Sequence, residues 1–178
     1  AGEGGVILPP MTLTPGSLEP ALLQSTRATA SLPGRRWAWR RAIESFDRSA
    51  LEALVPIPPP GGPRRDPFNP AVLAERLLRL EETLQPACIA FDAVPRAAER
   101  GGLLVERERW GMVAAIADRA GRILREAGLL SPYEAWDEAR DQGNIRPLDA
   151  IVLIGVTELA GRPRRLLERY GDRIRALV

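Results

Sequence analysis

Carboxylates are the main side chains left in this sequence for acid–base catalysis near neutral pH. There are 23 Asp and Glu, every one of the 25 cationic residues is an arginine, and His and Lys are absent. The chain therefore lacks an imidazole base, a Schiff-base or phosphate-binding lysine, and a His ligand for zinc, haem or iron. Paired carboxylates can drive hydrolysis, but no two here have a sequence context that forces them into a cleft. Asp137, Glu138 and Asp141 cluster without the ordered Asp/Asn/Gly spacing of a calcium loop. The single Cys88 cannot build a metal cluster and lies in an apolar run, where it packs as a small hydrophobe. Gly-rich phosphate loops, HExxH, CxxC and GxSxG are all missing. These readings point away from an enzyme. No catalytic residue, cofactor, metal or small-molecule substrate is expected.

The chemistry that remains is recognition. Arginine pairs bidentately with carboxylates and stacks on aromatics, so an all-arginine surface favours interfaces. A GC-rich coding sequence also produces this bias. Net charge is only +2, which does not demand a polyanionic partner. The charges are segregated along the chain, however. Residues 34–65 carry seven Arg against three acids, 131–143 one Arg against four, and 161–178 six against two. Trp37 is set apart from the other aromatics. On a helix it lies roughly opposite Trp39 and Phe46, beside Arg40 and Arg41, where it could stack on a partner. The candidate partner-binding residues are Arg36, Trp37, Arg40 and Arg41, with Arg164, Arg165 and Arg169 at the other end of the chain.

Elements that position these residues follow from periodicity. Trp39, Ile43, Phe46, Ala50 and Leu54 form an apolar stripe that predicts one helix over 35–55. Residues 56–69 hold six prolines in fourteen positions and read as a connector. Asn69 and Pro70 then suit the N-cap and first turn of a helix carrying Leu73, Leu77, Leu80 and Leu84. A long helix is expected over 103–127, stopped by Gly128. Ser131-Pro132-Tyr133-Glu134 is a capping box and opens a short acidic helix. Residues 150–156 are apolar on all sides, as a buried helix or a buried strand. A last amphipathic helix turns Leu166, Leu167, Tyr170, Ile174 and Leu177 inward.

The fold class expected is mainly α: five to six helices in a bundle-like domain. The alternative is α+β, with strands near 87–94, 103–107 and 150–156. Residues 1–33, rich in Pro, Ser and Thr, read as an extended arm with one short helical turn from Ser17 to Gln24. Residues 34–178 read as a single helical domain.

The string Leu166-Leu167-Glu168-Arg169-Tyr170-Gly171 resembles the second half of a helix-hairpin-helix DNA-binding element. Gly161-Arg162-Pro163 departs from that family's Gly-x-Gly turn, and no functional residue is carried across.

One cysteine allows no internal disulfide. The N-terminus shows no basic and apolar signal pattern, and no apolar run is long enough for a membrane span. The protein reads as soluble, cytoplasmic or within a macromolecular assembly. The leading expectation is a non-enzymatic structural or adaptor protein acting through protein contacts or self-association. The alternative is a nucleic-acid-binding protein using the Arg-rich segments 35–48 and 162–175.

Overall fold

Three helices, at 32–44, 70–84 and 107–126, supply most of the larger core. The structure, a computed structural model, describes residues 10–54, 69–103 and 106–177. Helix α1 spans Leu18–Leu22, α2 Leu32–Glu44, α3 Arg48–Leu51 and α4 Pro70–Leu84. They are followed by α5 (Val94–Arg100), α6 (Arg107–Glu126), α7 (Pro132–Asp141), strand β1 (Ile151–Ile154), α8 (Gly161–Leu167) and strand β2 (Ile174–Leu177). The fold is mainly α.

Local signals set several of these boundaries. Asn69 caps α4 by accepting from Ala71 N at 3.0 Å and Val72 N at 3.3 Å. Ser131 and Glu134 exchange the two bonds of a capping box at the start of α7. Gly128, with φ +73, closes α6 beside the Leu129 N–H to Leu124 carbonyl bond of 2.9 Å.

Helix α2 packs on both α4 and α6. Its buried ridge, including Ala38, Trp39, Ala42 and Ile43, meets Leu77 and Leu78 of α4 and Ile116 and Ala120 of α6 in one cluster. Trp39 sets its ring edge-on to Phe91 at 6.0 Å. Arg35, near the start of α2, reaches Glu81 and Glu82 near the end of α4.

A second, smaller core joins Leu18, Leu22 and Leu23 to Ala139, Leu166, Leu167 and Tyr170. The inner face of the sheet, Ile151, Leu153 and Ile174, packs against it. Strands β1 and β2 pair in parallel, with Ile151 opposite Ile174 and Ile154 opposite Leu177. Their other face leaves Val152 and Ile154 exposed.

The described part of the N-terminal stretch lies against the body. Helix α1 follows Ser17 as N-cap, and backbone bonds run from Arg146 N to Leu22 O (2.7 Å) and from Ala30 N to Leu130 O (2.8 Å). The connector expected at 56–69 lies outside the described residues except for Asn69.

Four sequence expectations need correction. The described residues hold eight α-helices, because α1, α3, α5 and α8 are only four to seven residues long. The helix expected over 35–55 starts earlier, at Leu32, and stops at Glu44. The Ser45 hydroxyl donates to the Ala42 carbonyl at 2.7 Å, and Asp47 turns extended before α3. Leu51 still reaches the first core, so the apolar stripe is delivered by a broken helix. The last helix ends at Leu167, and Ile174 and Leu177 belong to β2. In the α+β alternative, 151–154 is a strand. Residues 91–93 form a 3-10 turn, however, and Arg107 opens α6; Leu104 and Val105 lie outside the described residues.

Candidate functional site

The outer face of α2 carries the residues singled out by sequence. Ser31 caps the helix by accepting from Gly34 N at 3.3 Å, with Pro33 in the first turn. At about 100° per residue, the buried ridge places Trp37 on the opposite side. Trp37 is accordingly 51% exposed. Arg36 bridges to Glu75 of α4 at 2.8 Å. Arg40 and Arg41 both turn to Glu44, at 2.7 and 3.3 Å. The hydrogen bond from Arg40, with help from Arg41, holds the Glu44 carboxyl below its ordinary range. Two guanidiniums thus share one carboxylate, and the ridge beside Trp37 keeps a net positive charge.

Arg164, Arg165 and Arg169 are exposed at α8 and the turn after it. Arg164 pairs with Glu168 at 3.3 Å. Arg165 and Arg169 have no ion-pair partner among the described residues. The element before Gly161 is strand β1, so the helix pair of a helix-hairpin-helix is not formed here.

What the structure brings together are two arginines that the sequence reading placed in the basic segments 35–48 and 162–175 but that point inward, Arg35 and Arg162. Arg162 is 3% exposed. It grips Asp137 through two bonds of 3.0 and 3.1 Å, Glu19 at 2.9 Å and the Tyr133 carbonyl at 2.9 Å. Gly161 makes this seat possible: a Cβ there would stand 3.0 Å from the Ala87 carbonyl oxygen. Arg35 is 7% exposed and donates to Glu81 at 2.8 Å and Glu82 at 3.3 Å. The two guanidiniums lie 5.4 and 5.5 Å from the Tyr133 ring centroid, within cation–π range.

Burial works against the charge on Arg162, but Asp137 and Glu19 more than offset it and raise its pKa. At Glu19 burial outweighs Arg162 and raises the carboxyl. At Glu81 burial outweighs the hydrogen bonds from Arg35 and Trp39, with the same result. Arg35 was legible in principle, since it precedes Ala38, Trp39 and Ala42 by three, four and seven positions on the same helix arc. Arg162 carried no local signal; its partners Glu19 and Gln85 are 143 and 77 positions away.

The acids of 131–143 are engaged within the chain. Glu134 pairs with Arg125, Asp137 with Arg162 and Arg140, Glu138 with Arg27, and Asp141 with Arg140.

These raised carboxyls set a pH dependence opposite to that of an ordinary salt bridge. A carboxyl whose folded pKa lies above its unfolded value binds a proton more readily in the native state. Its ionisation is a cost present above the folded pKa, relieved as pH falls toward the ordinary value of 4.5. Relative to Glu81→Gln, the wild type is expected to gain stability as pH falls from neutrality toward the ordinary carboxyl value of 4.5. Urea midpoints of both proteins across that window measure it. A difference that is flat, or that widens against the wild type on acidification, contradicts the assignment.

Among the described residues no helix is long and apolar enough to cross a membrane, and no group of three or more Cys, Asp or Glu side chains is placed to hold a metal ion. Compared with models of protein families, with curated proteins and with solved structures, the chain matches none.

Proposed function

We propose that the protein is a non-enzymatic adaptor or assembly protein that docks a protein partner on the outer face of α2. The observation that carries this reading is Trp37, half exposed on the ridge opposite the core and flanked by Arg40 and Arg41. Tryptophan and arginine dominate the energetics of protein interfaces, because one supplies a large rigid apolar face and the other a planar fork of donors. Arg36 is braced by Glu75, which limits the side-chain entropy lost on docking. The preferred partner presents carboxylates around an apolar or aromatic pocket. A second copy is less suited as occupant, because the acids of 131–143 already face arginines of their own chain.

Affinity capture from native extract with wild-type and Trp37→Ala protein, followed by titration of the captured protein, tests this. The variant is expected to bind at least about 30-fold more weakly, about 2 kcal/mol, at unchanged thermal stability. Retention of the same proteins at the same affinity by both forms rules it out.

A second reading is nucleic-acid binding by segments 35–48 and 162–175. The exposed Arg165 and Arg169, with no ion-pair partner among the described residues, favour it. In the same titration series, a DNA or RNA oligomer would then bind with affinity falling steeply with salt, and Arg164→Ala/Arg165→Ala/Arg169→Ala would flatten that slope. Absence of binding at low salt discards this reading and leaves the first.

A further inference from the structure

Strands β1 and β2, joined through α8, form a parallel βαβ unit. Side chains alternate across a strand, so each residue of β1 shares a face with its partner in β2. The inner face, with Ile151, Leu153 and Ile174, packs on the second core beside Leu166 and Leu167 of α8. The outer face carries Val152, Ile154 and Arg175, with Val152 directly opposite Arg175. Val152 is 53% exposed and Ile154 74%. Parallel sheets occur almost only with helices over both faces, and a two-stranded sheet by itself is marginal in water. Among the described residues this sheet is covered on one face alone.

Charge selects what can cover the other face. Arg175 stands on it with the two apolar side chains and has no ion-pair partner among the described residues. Its guanidinium donates only to the backbone carbonyls of Asp172 and Ile174. Asp149 and Asp172 each precede a strand by two residues, at the end where both strands start. Negative charge is therefore confined to one end of the sheet, and the outer face itself is apolar and positive.

We infer that the outer face of this sheet docks an amphipathic helix of a protein partner. The apolar stripe of that helix lies on Val152 and Ile154, and carboxylates along its flank meet Arg175. A helix laid there supplies the layer that a parallel sheet lacks, and its acids give Arg175 a partner. A second copy of the chain is less suited as occupant. Its own acidic helix, α7, has Glu134, Asp137 and Glu138 already paired with Arg125, Arg162 and Arg27. An anionic bilayer spreads its charge over the whole surface and would be opposed by Asp149 and Asp172. The residues involved are distinct from those of α2, so the inference does not rest on docking at Trp37.

Fluorescence anisotropy of a labelled helical peptide, titrated with the full chain, tests it. The peptide has about 18 residues, with leucines at the spacing of one helix face and glutamates beside them. It is expected to bind, with a lysine-flanked version and a scrambled sequence of the same composition each at least about tenfold weaker. Val152→Thr/Ile154→Thr keeps a β-branched side chain at both positions, so the strand is preserved, and is expected to weaken binding by at least about tenfold. Arg175→Glu is expected to reverse the order of the glutamate and lysine peptides. Trp37→Ala is expected to bind the peptide as the wild type does, which separates failure here from failure of docking on α2. Absence of binding by the glutamate peptide, equal binding of the lysine version, indifference to either sheet variant, or loss of binding in Trp37→Ala would each overturn the inference. Self-association, or adsorption to anionic vesicles, that disappears in Val152→Thr/Ile154→Thr would also overturn it, by giving the face to a second copy or to lipid.

Discussion

Arg162→Ala is expected to lower the unfolding free energy by about 3–5 kcal/mol, the usual cost of removing one partner from a buried ion pair. Arg162 is almost wholly buried, and its loss leaves Glu19, 12% exposed, without its cation. Asp137 loses its bidentate partner, and the Tyr133 carbonyl and Gln85 each lose a donor. The residue also ties α1, α7 and α8 together at the edge of the second core, so its removal affects three elements at once. Arg162→Lys should not rescue much of this. An ammonium is a point donor on a flexible stem and cannot reproduce a planar fork that meets four groups. Urea unfolding of the three proteins gives the numbers. A loss below about 1 kcal/mol for Arg162→Ala would mean that the cluster is solvated and contributes as an ordinary surface pair.

Trp39→Ala and Trp37→Ala, two residues apart on one helix, are expected to behave oppositely. Trp39 is 3% exposed and stacks edge-on against Phe91, so its truncation should cost about 3–5 kcal/mol through lost transfer energy and a residual cavity. Trp37 stands out in solvent, and its truncation should change stability by no more than about 0.5 kcal/mol. The comparison separates a folding role from a docking role: the variant that loses partner binding must be the one that keeps its stability. Equal losses for both would place Trp37 in a packed environment and remove the basis for docking on this face.

The parts of the fold that were legible in sequence are those whose signals lie within one helical turn. Asn69-Pro70 and the Ser131–Glu134 box fix helix starts by side-chain to backbone bonds across two or three residues. Gly128 fixes a stop through its own positive φ. The opposed placement of Trp37 and Trp39 follows from the helical period. The break in α2 was not legible, because Phe46, Ala50 and Leu54 continue the apolar period across it while Ser45 and Asp47 end the helix locally. Strand β2 was hidden for a related reason. Ile174 and Leu177 are three apart, a spacing shared by a helix face, and only pairing with 151–154 selects the extended form.

The candidate sites divide along the same line. The missing imidazole and amine groups, the charge segregation and the outward Trp37 are properties of composition and period, and the sequence alone determined them. Charge segregation marks α7 as acidic in the sequence, and folding matches its acids with Arg27, Arg125 and Arg162 from other segments. The burial of Arg162, and the convergence of Glu19, Gln85, Tyr133 and Asp137 on it, were decided by tertiary structure alone. A buried charge is stable only where oppositely charged groups converge on it from several elements, and that convergence is set by chain topology over separations of up to 143 residues.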